Sequence, residues 1–575
     1  MSSNKVIIHG NLAYYEIISE NRQYYISSCP EKIKNGSYKS LTGRDPGRQV
    51  TRLLGEFKLK KGFLVFVYGV LQLNLLLKLI EDKNKNGGII VLVEPDEKLV
   101  LELRKFVPEI FENTYLIEKH GYWEQLNDFF DSIEISSIIG YKILTNGAIQ
   151  STDPVFFEEF DQNIKKLYST RLSDLFTRFE FESRWVSNAL INASQAYRAK
   201  PVYSLFNTME GKSAIMVSTG PGLRGALPWI KKNQNNFFIA AVDSAYRVLH
   251  RCGIKPDLIY SLDSQGYTLR HILGIPVGKN NDSPVLVADL VANPQVVLRW
   301  KGELFFSTTA HYKGDIRHLT PGCDFVEEEI LQTPVGDIQS GGSVATSLFD
   351  LLRQMGFSKI LFAGQDLAFT FHEVHTTGTH HTDIWLSKNS SRLNSIENIN
   401  YSAIKKRTIH YEEDARGKQI PVDYILSVYR QWFEDAIAKS KITVQKIGKV
   451  GAIIKAIHAY INTETINSSE FSQERMNKIN LAEIGKRIPY NQNIFLKFYD
   501  KLKKTDSENF LNDNDSIYYF MKLIGRKELV RNTRRALRSS STEESTTYSG
   551  NYKVDLEKKL FLDRLKQRLK NLSLN

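Results

Sequence analysis

Apolar residues in this chain gather into short runs separated by helical patterns. Phe63–Tyr68 (FLVFVY) is a β-rich run, followed by Gly69, a helical pattern over Leu71–Glu81, the pair Gly87-Gly88, and a second run, Ile89–Val93, ending in Glu94-Pro95-Asp96. Strand, helix and strand with an acidic residue after the second strand make a Rossmann-type half. Val70, Leu71 and Gln72 stand where a dinucleotide fingerprint carries glycines, so this unit is expected to keep the fold without the ligand.

The same rhythm is stronger further on. Ala214–Val217, Phe237–Val242, Leu258–Leu262, Val285–Ala288, Leu304–Ser307 and Ile360–Ala363 are apolar runs, with helical patterns near Gly225–Lys231 and Ala245–Cys252 between them. Such alternation predicts an α/β fold whose mostly parallel sheet is covered by helices on both faces. Ligands of these sheets lie outside the C-terminal strand ends, where the strand order reverses. Residues from Pro154 to Leu205 read as helical, with Trp185, Leu190 and Ile191 on one face. Beyond Asn467 the pattern turns helical and polar, with helices predicted over Gln473–Ile484, Ile494–Lys503 and Leu556–Leu572 and a flexible stretch at Ser539–Gly550. Three domains follow: an α/β domain over 1–150, a Rossmann-like central domain over 151–465 and a helical domain over 466–575.

Composition sharpens this only in places. With 575 residues and 42% apolar content there is material for more than one core. The formal charge is +12, and cations concentrate at Arg531, Arg534, Arg535, Arg538, Arg564, Lys566, Arg568 and Lys570. They lack the interleaved aromatics of RNA readers, so no specific nucleic-acid partner is expected. Cys29, Cys252 and Cys323 are far apart, which argues against a disulfide framework and a cysteine metal site. No secretory start is visible, and Phe63–Ile80, the most apolar stretch, is interrupted by Gln72, Asn74 and Lys78. A cytoplasmic protein without a transmembrane segment is expected.

The candidate chemistry lies at the predicted strand ends of the central domain. Ser218, Thr219, Gly220, Pro221 and Gly222 form a turn between a strand and a helix starting near Leu223. Backbone N–H groups and a helix start can hold a phosphate there, and the glycines admit close approach. Asp243 and Ser244 follow the second run, and Asp263 with Gln265 follows the third. Ser340, Gly341, Gly342 and Ser343 open a helical pattern over Val344–Met355, and Gly364, Gln365 and Asp366 end the sixth run. The three aspartates can accept from ribose hydroxyls, bind a metal or orient a catalytic group. His372, His375, His380 and His381 fall within ten residues after Asp366. They suit a general base or phosphate contact better than a metal, since no helical metal-ligand spacing occurs. His311 is a weaker candidate. There is no GxxxxGK[ST] loop, GxSxG elbow or protein-kinase motif set.

These segments together, VSTGPGL, AVDSAYRVLHRCGIKPDLIYSLDSQ and SGGSVATSLFDLLRQMGFSKILFAGQDLAFT with a histidine soon after, resemble the motility-associated factor (Maf) proteins. These are flagellin glycosyltransferases with a sialyltransferase-like core related to pterin diphosphokinase-like proteins. LTGRDPGRQVTRLL at Leu41–Leu54, and Trp185 with Asn188, are similar to further Maf segments. The resemblance implies transfer of a nonulosonic acid (pseudaminic or legionaminic type) from a CMP-activated donor to Ser or Thr of flagellin, needed for flagellum assembly and motility. Gly220–Leu223 would stand at the CMP-contacting turn, with Gly222 replacing a serine, and Ser340–Ser343 and Gly364–Asp366 would match the other core segments. Asp366 would serve catalysis, with His375 or the His380-His381 pair as base. A divalent metal is optional in this scheme, because helix ends can supply the positive field. Leu361, Phe362 and Leu367 stand where related enzymes place tyrosines.

Two other readings remain open at this level. A pterin diphosphokinase would hold Mg²⁺ through Asp243, Asp263 or Asp366. A non-catalytic adaptor would bind flagellin through the basic C-terminal helices.

Overall fold

The computed structural model describes residues 4–504, apart from 12, 21–22, 31–38, 43, 134, 136–137, 148–152, 278–282, 314–315, 321, 390, 392–393, 463–479 and 490. The predicted helix Leu556–Leu572, the stretch Ser539–Gly550, the basic C-terminal residues and most of Gln473–Ile484 lie outside the described residues. The described chain divides into two compact units, one ending at Glu180 and the other starting at Phe181.

The first unit contains two sheets. β1 (Asn4–His9), β2 (Ala13–Glu20), β3 (Gln23–Pro30) and β4 (Lys39–Ser40) form an antiparallel sheet in sequence order. β5 (Phe63–Tyr68), β6 (Ile89–Glu94), β7 (Tyr115–Glu118) and β8 (Gly140–Thr145) form a parallel sheet in the order β7-β6-β5-β8. The expected strand–helix–strand half is present, with a helix over Leu73–Asn86 between β5 and β6. Glu94, at the position of a ribose-binding acid, is buried and accepts from the Val70 and Asp96 N–H groups at 2.8 and 3.0 Å. Asp96 caps the next helix by accepting from Leu99 N–H at 3.0 Å. Both acids therefore hold the turn that leaves their own sheet.

The second unit is built on an eleven-stranded sheet. Its strands are β9 (Ala199–Pro201), β10 (Ser213–Val217), β11 (Phe238–Val242), β12 (Leu258–Ser261), β13 (Val285–Asp289), β14 (Leu304–Lys313), β15 (Ile316–Leu319), β16 (Asp337–Ile338), β17 (Lys359–Ala363), β20 (Thr443–Ile447) and β21 (Ala459–Ile461). A separate hairpin, β18 (Ile409–Glu413) with β19 (Gln419–Asp423), precedes β20. The order β14-β13-β12-β11-β10-β17-β20-β21 is parallel throughout, and β15 alone pairs antiparallel, at the far edge. Each expected apolar run is one of these strands, and their buried faces explain the runs, since a parallel sheet is covered on both sides.

Two sequence features place the candidate site. From β10 the chain adds β11 to β14 on one side, then returns to lay β17 on the other side of β10. The order therefore reverses between β10 and β17, whose ends pair as Val217 with Ala363. A helix leading into a parallel strand starts at the C-terminal rim of the sheet, so Leu223–Asn233 and Val344–Gln354 both begin there. No helix is long and apolar enough to cross a membrane among the described residues.

Candidate functional site

Val217 ends β10, and the Ser218–Gly222 turn folds directly against the segment leaving β17. Ser218 N–H donates to Ala363 O at 2.9 Å, and Gly220 N–H to Gly364 O at 2.8 Å. Gly222 N–H donates to Asp366 Oδ2 at 2.7 Å. The helix start closes on itself, with Leu223, Arg224 and Gly225 N–H groups donating to Gly220, Pro221 and Gly222 carbonyls. Of the backbone N–H groups expected to hold a phosphate at this turn, that of Gly222 is taken up by the Asp366 carboxylate. The glycines are explained by the same contact. A Cβ on Gly220 would lie 2.5 Å from Gly364 O, and one on Gly222 would lie 2.6 Å from Asp366 Oδ1.

Asp366 is buried and sits near Lys446, whose ammonium is buried without a hydrogen-bond partner among the described residues. Burial raises the Asp366 pKa, against the opposing pull of Lys446 and the Gly222 N–H. Burial likewise lowers the Lys446 pKa. Gly451 packs over this carboxylate at φ +89°, where a Cβ would meet Asp366 O at 2.6 Å. Asp366 therefore organises the turn from beneath. Gln365 beside it is also buried.

Ser340–Ser343 closes on its own side chains as well. Ser343 Oγ accepts from Thr346 N–H at 3.2 Å, Thr346 Oγ1 accepts from Gly341 N–H at 2.9 Å, and Ser340 Oγ accepts from Gly342 N–H at 3.1 Å. This is a capping box with an added loop. Gly341 lies against an indole: a Cβ there would sit 2.4 Å from Trp432 Cγ. The two bends share the sheet rim, but no hydrogen bond joins them among the described residues.

What converges at the reversal is side-chain chemistry. Thr219 Oγ1 lies 3.4 Å from Ser244 Oγ and 3.4 Å from His375 Nδ1, so three predicted positions meet there. The segment after Asp366 is fastened over the rim: Thr376 N–H donates to Thr219 O at 2.9 Å, and Arg224 pairs with Glu373 at 3.0 Å. Leu367, Phe371 and His372 adopt positive φ within it. Burial, reinforced by the neighbouring His381 and His271, holds the His375 pKa down at about 3, so its imidazole is neutral at neutral pH. His372 is exposed and outside this convergence.

The remaining aspartates are committed to protein partners. Asp263 Oδ1 accepts from Gln265 N–H at 2.9 Å, and its other oxygen accepts from the Tyr267 hydroxyl. Asp243, expected to accept from a ribose hydroxyl, bind a metal or orient a catalytic group, is buried; it accepts from Ser261 Oγ at 2.7 Å and stands 3.2 Å from His271 Nδ1. His271 was not singled out in the sequence. The only signal for it was proximity to Asp263 in SQGYTLRHI, because its partners His380 and His381 are distant in the chain. The ring centroids of His271 and His380 lie 4.8 Å apart, and those of His380 and His381 4.0 Å apart. His381 also stacks on His375 at 5.2 Å, linking this group to Thr219.

Residues 187–371 match the family described as 6-hydroxymethylpterin diphosphokinase MptE-like. An uncharacterized protein of Treponema pallidum (strain Nichols) is 30% identical over 114 residues, covering 19% of this chain and 53% of that protein, so the chain spans about half the length of this relative. The Maf glycosyltransferase of Magnetospirillum magneticum AMB-1 has a similar fold, with a TM-score of 0.56 and 12% identity over 99% of this chain and 90% of that one. These likenesses bear out the α/β fold class and the resemblance to Maf proteins.

Proposed function

We propose that the chain is a glycosyltransferase that moves a nonulosonic acid of the pseudaminic or legionaminic type from a CMP-activated donor to serine or threonine of flagellin. The observation carrying this reading is the convergence of Thr219, Ser244 and His375 at the strand-order reversal between β10 and β17. The fold shared with the Maf glycosyltransferase of Magnetospirillum supports it.

In this reading CMP leaves the anomeric carbon as the acceptor hydroxyl attacks. His375, placed beside the Thr219 hydroxyl, is the group assigned to take the hydroxyl proton, and the Thr219 and Ser244 hydroxyls donate to the departing phosphate. Asp366 and the closed glycine turns hold these groups in place, rather than touching the donor with bare N–H groups. Work in the cytoplasm, where activated sugars are made, suits the proposal.

The experiment is incubation of the purified chain with CMP-pseudaminic or CMP-legionaminic acid and flagellin, read by intact mass. Added mass that requires both donor and chain is expected; unmodified flagellin with both donors overturns the reading. A pterin diphosphokinase is the second reading, favoured by the MptE-like match. Asp243, Asp263 and Asp366 each accept from protein donors, so Mg²⁺ would have to share them or displace those partners. Titration with CMP, ATP and 6-hydroxymethylpterin separates the two.

A further inference from the structure

Three imidazoles face one another behind the rim. His271, on the short helix Leu269–Ile272, and His380 and His381, at the start of the helix His380–Ile384, place one ring nitrogen each within 4.8 Å of the others. His271 and His380 are 4% and 5% exposed, so water does not freely solvate them.

Such a group needs a reason. Two of its nitrogens have no protein partner: His271 Nε2 and His380 Nδ1 are buried without one among the described residues. A buried polar nitrogen left bare costs about 1–3 kcal/mol, so two in one cluster call for a ligand that all three rings can share. The opposite side of His271 is built as metal-binding histidines usually are. Its Nδ1 faces Asp243 at 3.2 Å, and Asp243 is fixed in turn by Ser261 at 2.7 Å. A carboxylate there sets the tautomer, leaves Nε2 as the available nitrogen and raises its donor strength. Of the neighbouring cations, Arg247 donates to the carbonyls of Arg270 and Leu273, and Arg251 forks onto Asp383 at 2.9 and 2.8 Å.

We infer that His271, His380 and His381 form a three-histidine site for a borderline divalent transition metal, Zn²⁺ by ligand type, with Asp243 as the positioning residue for His271. Three nitrogen ligands leave one coordination position for water or an oxygen of a bound molecule. His375, stacked on His381, ties the site to the Thr219 turn. The inference concerns binding alone and stands or falls apart from the transferase reading.

The test uses the full chain, stripped with a chelator and titrated with ZnCl₂. One tight site per chain is expected, lost in His271→Ala and His380→Ala and retained in His372→Ala. Asp243→Asn should weaken it about 10–100-fold. If the histidine variants fail to fold, X-ray absorption of the zinc-loaded wild type decides, because it counts three imidazoles without any substitution. Substitution by Co²⁺ should give the intense visible bands of four-coordinate cobalt. No binding, binding that survives His271→Ala, or a zinc shell with fewer than three imidazoles overturns the site.

Discussion

The Asp366 carboxylate accepts the Gly222 N–H at 2.7 Å, joining the end of β17 to the turn that leaves β10. One buried acid thereby fixes the bend that sequence reading assigns to a phosphate. Asp366→Asn keeps an oxygen for Gly222 but removes the charge beside Lys446. A stability loss of about 1–3 kcal/mol is expected, read as a shift of the urea midpoint. An unchanged midpoint would show that the charge does no structural work.

The contact between Gly341 and Trp432 carries a second prediction. Gly341→Ala places a methyl 2.4 Å from Trp432 Cγ, inside contact distance. Forcing the indole aside should cost about 1–3 kcal/mol. Adding Trp432→Leu to that variant should return part of the loss in thermal unfolding; equal loss in both would place the strain elsewhere.

His375→Ala tests the proton acceptor. If this imidazole takes the acceptor proton, kcat should fall about 10²–10⁴-fold with KM for the donor little changed. A fall in KM alone would move the base to another group.

Glu94 supplies a pH prediction. Burial pushes its pKa up from 4.5 to about 7, against the two backbone N–H groups it accepts from. A carboxyl raised in the folded state adds stability that is complete below pH 4.5 and disappears as pH climbs through about 7. That difference corresponds to ~3 kcal/mol. The wild type should therefore lose stability between pH 5 and 8 relative to Glu94→Gln, whose profile should be flatter. Parallel profiles by calorimetry would contradict the shift.

The parallel strands were legible because burial on both faces writes them as unbroken apolar runs, as in Ile360–Ala363. The antiparallel sheet over β1 to β4 was not read, since AYYEIISE and QYYISSCP mix polar and apolar residues without a clean period of two and show no unbroken apolar run. Positions at the rim were legible as well: Thr219, Ser244 and His375 do meet. Their roles were less so. Whether a glycine admits a ligand or a neighbouring carboxylate depends on what folds against it, and Asp366 against Gly222 is a pairing that only the tertiary structure provides. His271 failed to stand out for the same reason, its two histidine neighbours arriving from a remote loop.

The reversal of strand order has a practical reach beyond chemistry. The segment 187–371 looks like a self-sufficient piece, yet β17 pairs with β20, Phe369 N–H donates to Pro421 O and Trp432 underlies Gly341, all contributed by later chain. A fragment cut at residue 371 would bare an apolar strand edge and leave the glycine bend without its floor, so it should clump rather than dissolve.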